Sequence, residues 1–167
     1  HWAIAAAYGD NMHASADALV QQAGLSKQQQ EQLKELGTYI NYNGYGQKVS
    51  DLHFNPADLY QALIEYPDPF VLIHQQNSLF SQLKTAYLAD MAKAKEASVL
   101  SDSELVKTIV LEDAPWSRRV SGVFGNDLAN QSPDKAHIIV TLNSVKQNDD
   151  NLSLQSYTVS LRAPLNN

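Results

Sequence analysis

The sequence has no cysteine among its 167 residues, which excludes disulfide bridges and thiolate metal sites. This absence fits a cytoplasmic protein, and we expect that location. No apolar run approaches the roughly 20 residues of a transmembrane helix, so no membrane partner is expected. The net charge is −6, and a protein that binds nucleic acid broadly usually has a basic surplus. Contact with nucleic acid would therefore need a local basic cleft.

Several common catalytic motifs are also missing. The chain has no GxGxxG, Walker or GxSxG pattern, so hydride-transfer enzymes, P-loop NTPases and α/β-hydrolases fit poorly. The histidines at 53, 74 and 137 are scattered and form no HExxH motif. His137 lies in an apolar run and is expected to be a core residue.

The composition is that of a chain that buries a core, with 44% hydrophobic and 18% charged residues. The sequence begins at His1 rather than Met. Ala3 to Ala7 is continuously apolar, and we interpret it as a buried strand cut at its edge, within a longer protein. The alternative is a cleaved signal peptide ahead of a secreted structural domain.

The remaining pattern predicts an α/β fold of two parts, residues 1–100 and 101–167. Helices are expected first, one ended by Gly24, one from the N-cap Ser26 to Gly37, and one starting at Asn55-Pro56. The apolar spacing then predicts one long connector helix over 69–97. Beyond residue 100 the pattern indicates strands over 106–112, 136–142 and 154–161, a helix over 120–130 and a hairpin turn at 148–151.

The segment from Tyr39 to Gly46 crowds tyrosines and turn-forming residues together. Such a loop either carries function or packs its aromatic rings onto the domain surface. The pattern does not decide between these two interpretations.

Asp10 is the first candidate for chemistry, because it would follow the expected strand at the edge where parallel sheets gather their sites. A carboxylate there suits Mn²⁺ or Mg²⁺, and His13 could be a second ligand. The alternative is a turn former or helix cap.

The second candidate is the segment 116–126. Arg118 and Arg119 precede Ser121-Gly122, which we expect to open a helix whose free N–H groups bind an anion. Gly122 and Gly125 would allow a phosphate to approach closely, or would serve tight packing of helix on sheet. Arg162 closes the last strand and would either be solvated or present its guanidinium to a phosphate.

These segments together resemble DHH-family, RecJ-like phosphoesterases. Gly122-Val123-Phe124-Gly125 resembles the Gly-Val-x-Gly core of the DHH-associated domain, and Val159-Ser160-Leu161-Arg162 resembles its substrate-facing strand. Ala6-Ala7-Tyr8-Gly9-Asp10-Asn11 resembles the last metal-ligand motif of a Rossmann-like DHH domain. The expected fold is thus a helical portion with one edge strand of that domain, the connector helix, and a small mixed α/β substrate-binding domain.

The resemblance implies an Mn²⁺- or Mg²⁺-dependent parent enzyme that cleaves phosphodiester bonds in single-stranded nucleic acid or nucleotides. Asp10 would be a metal ligand. Ser121, Gly122, Gly125, Asn126 and Arg162 would contact the substrate, with Arg118 and Arg119 where the family usually has His-Pro.

Two departures from the family pattern matter. The Asp-His-His motif and the Gly-rich motif that follows the arginine strand are both absent from these residues. We therefore expect this chain to be inactive and to bind no metal by itself. The alternative function is a non-catalytic module that binds nucleotides or single-stranded nucleic acid.

Overall fold

A computed structural model describes residues 1–143, 146–147 and 153–164. The chain forms two compact units, His1–Ala89 and Asp90–Asn167. The first unit is helical, and its helices are α1 (Trp2–Gly9), α2 (His13–Ala23), α3 (Lys27–Tyr42), α4 (Pro56–Ile64), α5 (Pro69–His74) and most of α6 (Leu79–Lys95), with a 3₁₀ turn at Val49–Asp51. Among the described residues, no helix is long and apolar enough to cross a membrane.

Three local signals set the helix ends as the sequence predicts. Gly24 ends α2 in the left-handed conformation at φ 65°, which glycine adopts without strain. Ser26 caps α3 in a reciprocal capping box with Gln29. Asn55 accepts a hydrogen bond from the Ala57 N–H ahead of α4.

The strand predicted over Ala3 to Ala7 is wrong, because these residues belong to α1. A continuous apolar run does not distinguish a buried strand from a buried helix. Four of the eight residues of α1 are alanine, the residue with the strongest helix propensity. Asp10 therefore follows a helix and not a strand.

Gly37 does not end α3, which continues to Tyr42. A Cβ atom on Gly37 would lie 1.9 Å from the Ala5 carbonyl oxygen and 2.8 Å from the Gly9 nitrogen. Gly37 is thus the point where α3 crosses α1 backbone to backbone. The longer helix places Tyr39 and Tyr42 in the core, with 3% and 0% of their surface exposed, which favours packing over ligand contact for these two rings.

The core of the first unit lies between these helices. Tyr39 packs against Phe80 and Tyr87 with ring centroids 5.6 and 5.0 Å apart. Burial raises the pKa of Tyr39 well above its usual range, with the Glu35 carboxylate adding to the effect. The most deeply buried aliphatic side chains of this core are Ala5, Ala16, Leu33, Leu36, Leu72 and Leu83.

The single connector helix predicted over 69–97 is also wrong. The segment is divided into α5 and α6, and Asn77 between them has φ 52°. A residue in the left-handed region cannot continue an α-helix. The boundary between the two units falls within α6, after Ala89, whereas the sequence places a boundary near residue 100.

The second unit is a mixed sheet with one helix packed against it. Its elements are β1 (Ser98–Asp102), β2 (Val106–Leu111), α7 (Pro115–Gln131), β3 (Ala136–Leu142) and β6 (Tyr157–Arg162), together with the short pair β4 (Lys146–Gln147) and β5 (Ser153–Leu154). The strand order is β1-β2-β3-β6. Strands β2 and β3 are parallel, and both outer pairs are antiparallel. The chain is thus of mixed α/β class, as predicted, and the turn predicted at 148–151 lies outside the described residues.

Helix α7 connects β2 to β3 and covers one face of the sheet. It begins at Pro115, a favoured first position because proline lacks an N–H. Ser121 and Gly122 therefore lie in the middle of the helix. The prediction that they open a helix with free N–H groups is wrong, because their N–H groups belong to the interior of the helix, where backbone donors are paired.

Candidate functional site

Arg162 lies at the end of β6 against helix α7. Its Nε–H donates to the Asn126 side-chain oxygen at 2.6 Å, and Nη1 donates to Ser160 Oγ at 3.1 Å. Nη1 also lies 3.1 Å from the Leu161 carbonyl oxygen, and Nη2 lies 3.5 Å from that of Gly122. The guanidinium is half-buried, and its position is set by the register that places Arg162 opposite His137 of β3.

Every hydrogen-bond partner that the described residues give Arg162 is neutral. The other two arginines face carboxylates: Arg118 Nη1 lies 2.5 Å from Asp113, and Arg119 Nη2 lies 2.7 Å from Asp90. Amide, hydroxyl and carbonyl oxygens therefore orient the Arg162 guanidinium, but none of them carries a negative charge that would neutralise it. A cation held in this way is suited to bind a phosphate or carboxylate through Nη2, whose only hydrogen-bond contact within the described residues is the long one to Gly122.

The structure brings together four of the seven residues predicted to bind substrate: Gly122, Gly125, Asn126 and Arg162. A Cβ atom on Gly125 would lie 3.5 Å from Arg162 Cγ and 3.6 Å from Ile139 Cδ1. These are ordinary packing distances, and they show that Gly125 faces the sheet beside the Arg162 stem. A methyl group would fit at these distances, so the packing of helix on sheet does not require a glycine here.

The other three residues are engaged elsewhere. Ser121 Oγ donates to the Arg118 carbonyl of its own helix. Arg118 and Arg119 are both mostly buried in their ion pairs, with 12% and 11% of the side chain exposed. The geometry thus gives these two arginines structural roles, and their contact with substrate remains a prediction.

Ser160 is the partner of Arg162 that the sequence does not single out. Asn126 is predicted to contact substrate, but not to hold Arg162. The alternation along β6 could have found Ser160, since residues two apart on a strand share a face. No local pattern connects Asn126 to Arg162, because they are 36 positions apart.

Asp10 lies exposed just beyond the C-terminal end of α1. His13, its proposed co-ligand, bonds through Nε2 to the Asn11 side-chain oxygen at 2.9 Å, and burial lowers the pKa of the His13 imidazole. Within the described ranges, no group of three or more His, Cys, Asp or Glu side chains is placed to hold a metal ion. These residues do not by themselves fit the two-metal centre that the resemblance implies.

Asp10 instead lies at an apolar cleft of the first unit, with a volume of about 580 Å³. The cleft is bordered by α1, α3 and α4 and by the residues that follow α4. Its lining residues are Trp2, Ala5, Ala6, Gly9, Asp10, Gly37, Ile40, Asn41, Tyr60, Leu63, Ile64, Tyr66 and Pro67. The strand predicted at 3–7 concealed this feature, since a helix is needed to align Trp2, Ala6 and Gly9 on one face.

No protein-family model matches the chain, and no curated protein or solved structure matches it significantly. Function must therefore be inferred from the residues and their geometry.

Proposed function

We propose that the chain is part of a metal-dependent phosphoesterase that acts on nucleic-acid or nucleotide phosphodiester bonds, and that its second unit is the substrate-binding portion. The observation that carries this proposal is the Arg162 guanidinium with neutral partners only. The resemblance of the segments around Gly122 and Arg162 to the DHH-associated domain of RecJ-like proteins supports the choice of a phosphate as ligand.

The proposed contact uses the outer edge of the guanidinium. Nε is committed to Asn126 at 2.6 Å, whereas the 3.5 Å contact of Nη2 with the Gly122 carbonyl is long for a hydrogen bond. A phosphate oxygen could take the place of that weak partner without disturbing the bond to Asn126. Asn126 then acts as a positioning residue, and Arg162 supplies the charge.

The metal chemistry is not assigned to residues of this chain. In enzymes of this class, bound metal ions activate a water for in-line attack on phosphorus. The described residues hold no complete ligand set, and a metal role for Asp10 follows from the resemblance alone and forms no part of this proposal. We expect the 167-residue chain to hydrolyse no phosphodiester with Mn²⁺ present.

The test is a binding titration with a short 5′-phosphorylated single-stranded oligonucleotide and with a nucleoside monophosphate. Arg162→Ala should weaken both by about 10- to 100-fold, since a charge-assisted hydrogen bond contributes about 1.5–3 kcal/mol. Lys95→Ala is the matched control: it removes one exposed positive charge from the same unit, and it should change binding less than about 2-fold at 0.15 M salt.

Unchanged binding by Arg162→Ala would refute the phosphate contact, and equal losses in the two variants would reduce it to non-specific charge attraction. The enzyme and the non-catalytic module differ in what precedes His1 in the parent protein. An Asp-His-His motif there supports the phosphoesterase, and its absence favours a binding module that uses the same arginine.

A further inference from the structure

The apolar cleft of the first unit follows the length of α1. Trp2, Ala5, Ala6, Gly9 and Asp10 all line it, and these positions form one face of a helix. Eight steps of an α-helix cover about 12 Å, so Trp2 and Asp10 mark ends of the cleft that are separated by the length of a small organic molecule. The lining residues of α1 between them are alanine and glycine, whose small side chains leave space for a ligand.

The end near Trp2 is aromatic and apolar. Trp2 Nε1–H donates to the Tyr66 carbonyl at 2.8 Å, so the polar group of the indole is already satisfied. Tyr60 and Ile64, one turn apart on α4, line the same cleft while 61% and 50% exposed. Concave sites of this volume with few polar groups are typical of small-molecule binding.

The charge at the other end is negative. Asp10 is the one charged residue among the lining residues. The last turns of three helices also line the cleft: Gly9 of α1, Ile40 and Asn41 of α3, and Leu63 and Ile64 of α4. Gly9 ends α1 directly before Asp10, and the partial negative charge at that helix end adds to the attraction of the Asp10 carboxylate for a cation.

We propose that this cleft binds an apolar organic cation, with its ammonium group at Asp10 and its hydrocarbon or aryl portion along α1 towards Trp2. A hydrated metal ion would gain little from the aromatic rings and apolar walls. An ammonium ion with an apolar tail meets the Asp10 carboxylate with its head group and the rings of Trp2 and Tyr60 with its tail. This inference goes beyond the proposed function and does not depend on Arg162.

The test compares three probes that share one tail and differ only in the head group: 4-phenylbutylammonium, 4-phenylbutanol and 4-phenylbutyrate. The tail approaches the separation of Trp2 and Asp10. Trp116→Phe leaves Trp2 as the single tryptophan, because the chain has two, and its fluorescence then reports binding in the cleft. The ammonium probe should bind about 2- to 5-fold more tightly than the alcohol, as for an exposed ion pair, and the carboxylate should bind most weakly.

Three variants separate charge from shape. Asp10→Asn should remove the preference for the ammonium over the alcohol. Ala6→Leu should fill the cleft from an exposed position on α1 and weaken all three probes by at least about 5-fold. Asp58→Asn removes an exposed carboxylate that does not line the cleft, and it should change nothing.

The proposal is overturned if none of the probes binds at millimolar concentration, if 4-phenylbutyrate binds as tightly as the amine, or if Asp10→Asn keeps the preference. Displacement of the ammonium probe by equimolar Mn²⁺ would also overturn it, since Asp10 would then belong to a metal site. Loss of phosphate binding in Arg162→Ala has no bearing on this result.

Discussion

Arg119 donates two hydrogen bonds to a single oxygen of Asp90, from Nε at 2.8 Å and from Nη2 at 2.7 Å. Asp90 is 3% exposed and Arg119 is 9% exposed. Lys93 lies 3.7 Å from the other carboxylate oxygen of Asp90. The pair joins the last turns of α6 to α7 within the second unit, and it explains why an arginine predicted to bind substrate is buried.

Removal of one partner of this pair should destabilise the second unit strongly. Asp90→Leu leaves the Arg119 charge buried without its carboxylate, and we expect the free energy of unfolding to fall by about 3–5 kcal/mol in urea titrations. The double variant Asp90→Leu/Arg119→Met should recover much of that loss. A loss below about 1 kcal/mol in the single variant would show that the pair is solvated.

Gly37→Ala should disrupt the crossing of α1 and α3. The new methyl group would lie 1.9 Å from the Ala5 carbonyl oxygen, so the backbones must separate. We expect the free energy of unfolding to fall by about 3 kcal/mol, at the upper end for overpacked sites. This loss outweighs the helix propensity of alanine, which exceeds that of glycine by about 1 kcal/mol. The fall in melting temperature checks this.

Gly125→Ala is the matched control for Gly37→Ala. Gly125 also lies within a helix, but its added Cβ would meet its nearest neighbours at 3.5–3.8 Å, which is ordinary van der Waals contact. The helix-propensity gain of about 0.5–1 kcal/mol should then show as equal or higher stability. Equal losses in both variants would contradict the close crossing at Gly37.

Asn126→Asp should weaken phosphate binding without loss of structure. The substitution keeps the shape of the acceptor that receives the Arg162 Nε–H at 2.6 Å, but it adds the negative charge that the site lacks. We expect about a 10-fold loss of affinity for a nucleoside monophosphate, measured by calorimetry. Asn130→Asp, with the same charge change one turn along α7 and at an exposed position, should have a much smaller effect.

Asp102 should make stability depend on pH on the acid side. Hydrogen bonds from Lys135 and then from Lys107 hold the pKa of the Asp102 carboxyl below its usual range. A carboxyl whose pKa is lowered by folding contributes stability above its unfolded pKa, near 4, and that stability is lost as the pH falls through the lower folded value.

We therefore expect the urea midpoint of Asp102→Asn to vary less than that of the original chain as the pH falls below about 4. Added salt should shrink the difference, because the group is exposed. If the urea midpoints of the two proteins fell in parallel with pH at low salt, the lysines would have no effect on the pKa of the Asp102 carboxyl.

The sequence predicts those features of the fold that depend on a few adjacent residues. Gly24, Ser26 and Asn55 act through their own backbone and the next turn, so their roles as helix boundaries could be read directly. The β-branched runs also predict β2 and β3. The strand predicted over 154–161 covers parts of two strands, the end of β5 and most of β6, so β6 begins later than predicted. Alternation and turn residues are local properties of the chain.

The errors arise where tertiary contacts decide. Glycine is the residue type that commonly ends a helix, but Gly37 lies against Ala5, where α3 crosses α1. Ala3 to Ala7 suits a buried strand or a buried helix equally, and only the packing against α3 selects the helix. The candidate site shows the same limit: Arg162 was found from its strand, whereas its contact with Asn126 depends on how α7 lies on the sheet.

Strand β6, which carries Arg162, has a single neighbour, β3, among the described strands. An outer strand is released at a lower free energy than an inner one, so the amides of β6 should exchange with deuterium sooner than those of β3. A ligand held by Arg162 binds only while β6 is paired with β3. Bound ligand therefore lowers the population in which β6 is detached, and the amides of β6 exchange more slowly. Deuterium uptake along 157–162 would thus report occupancy of the arginine without any label on the ligand.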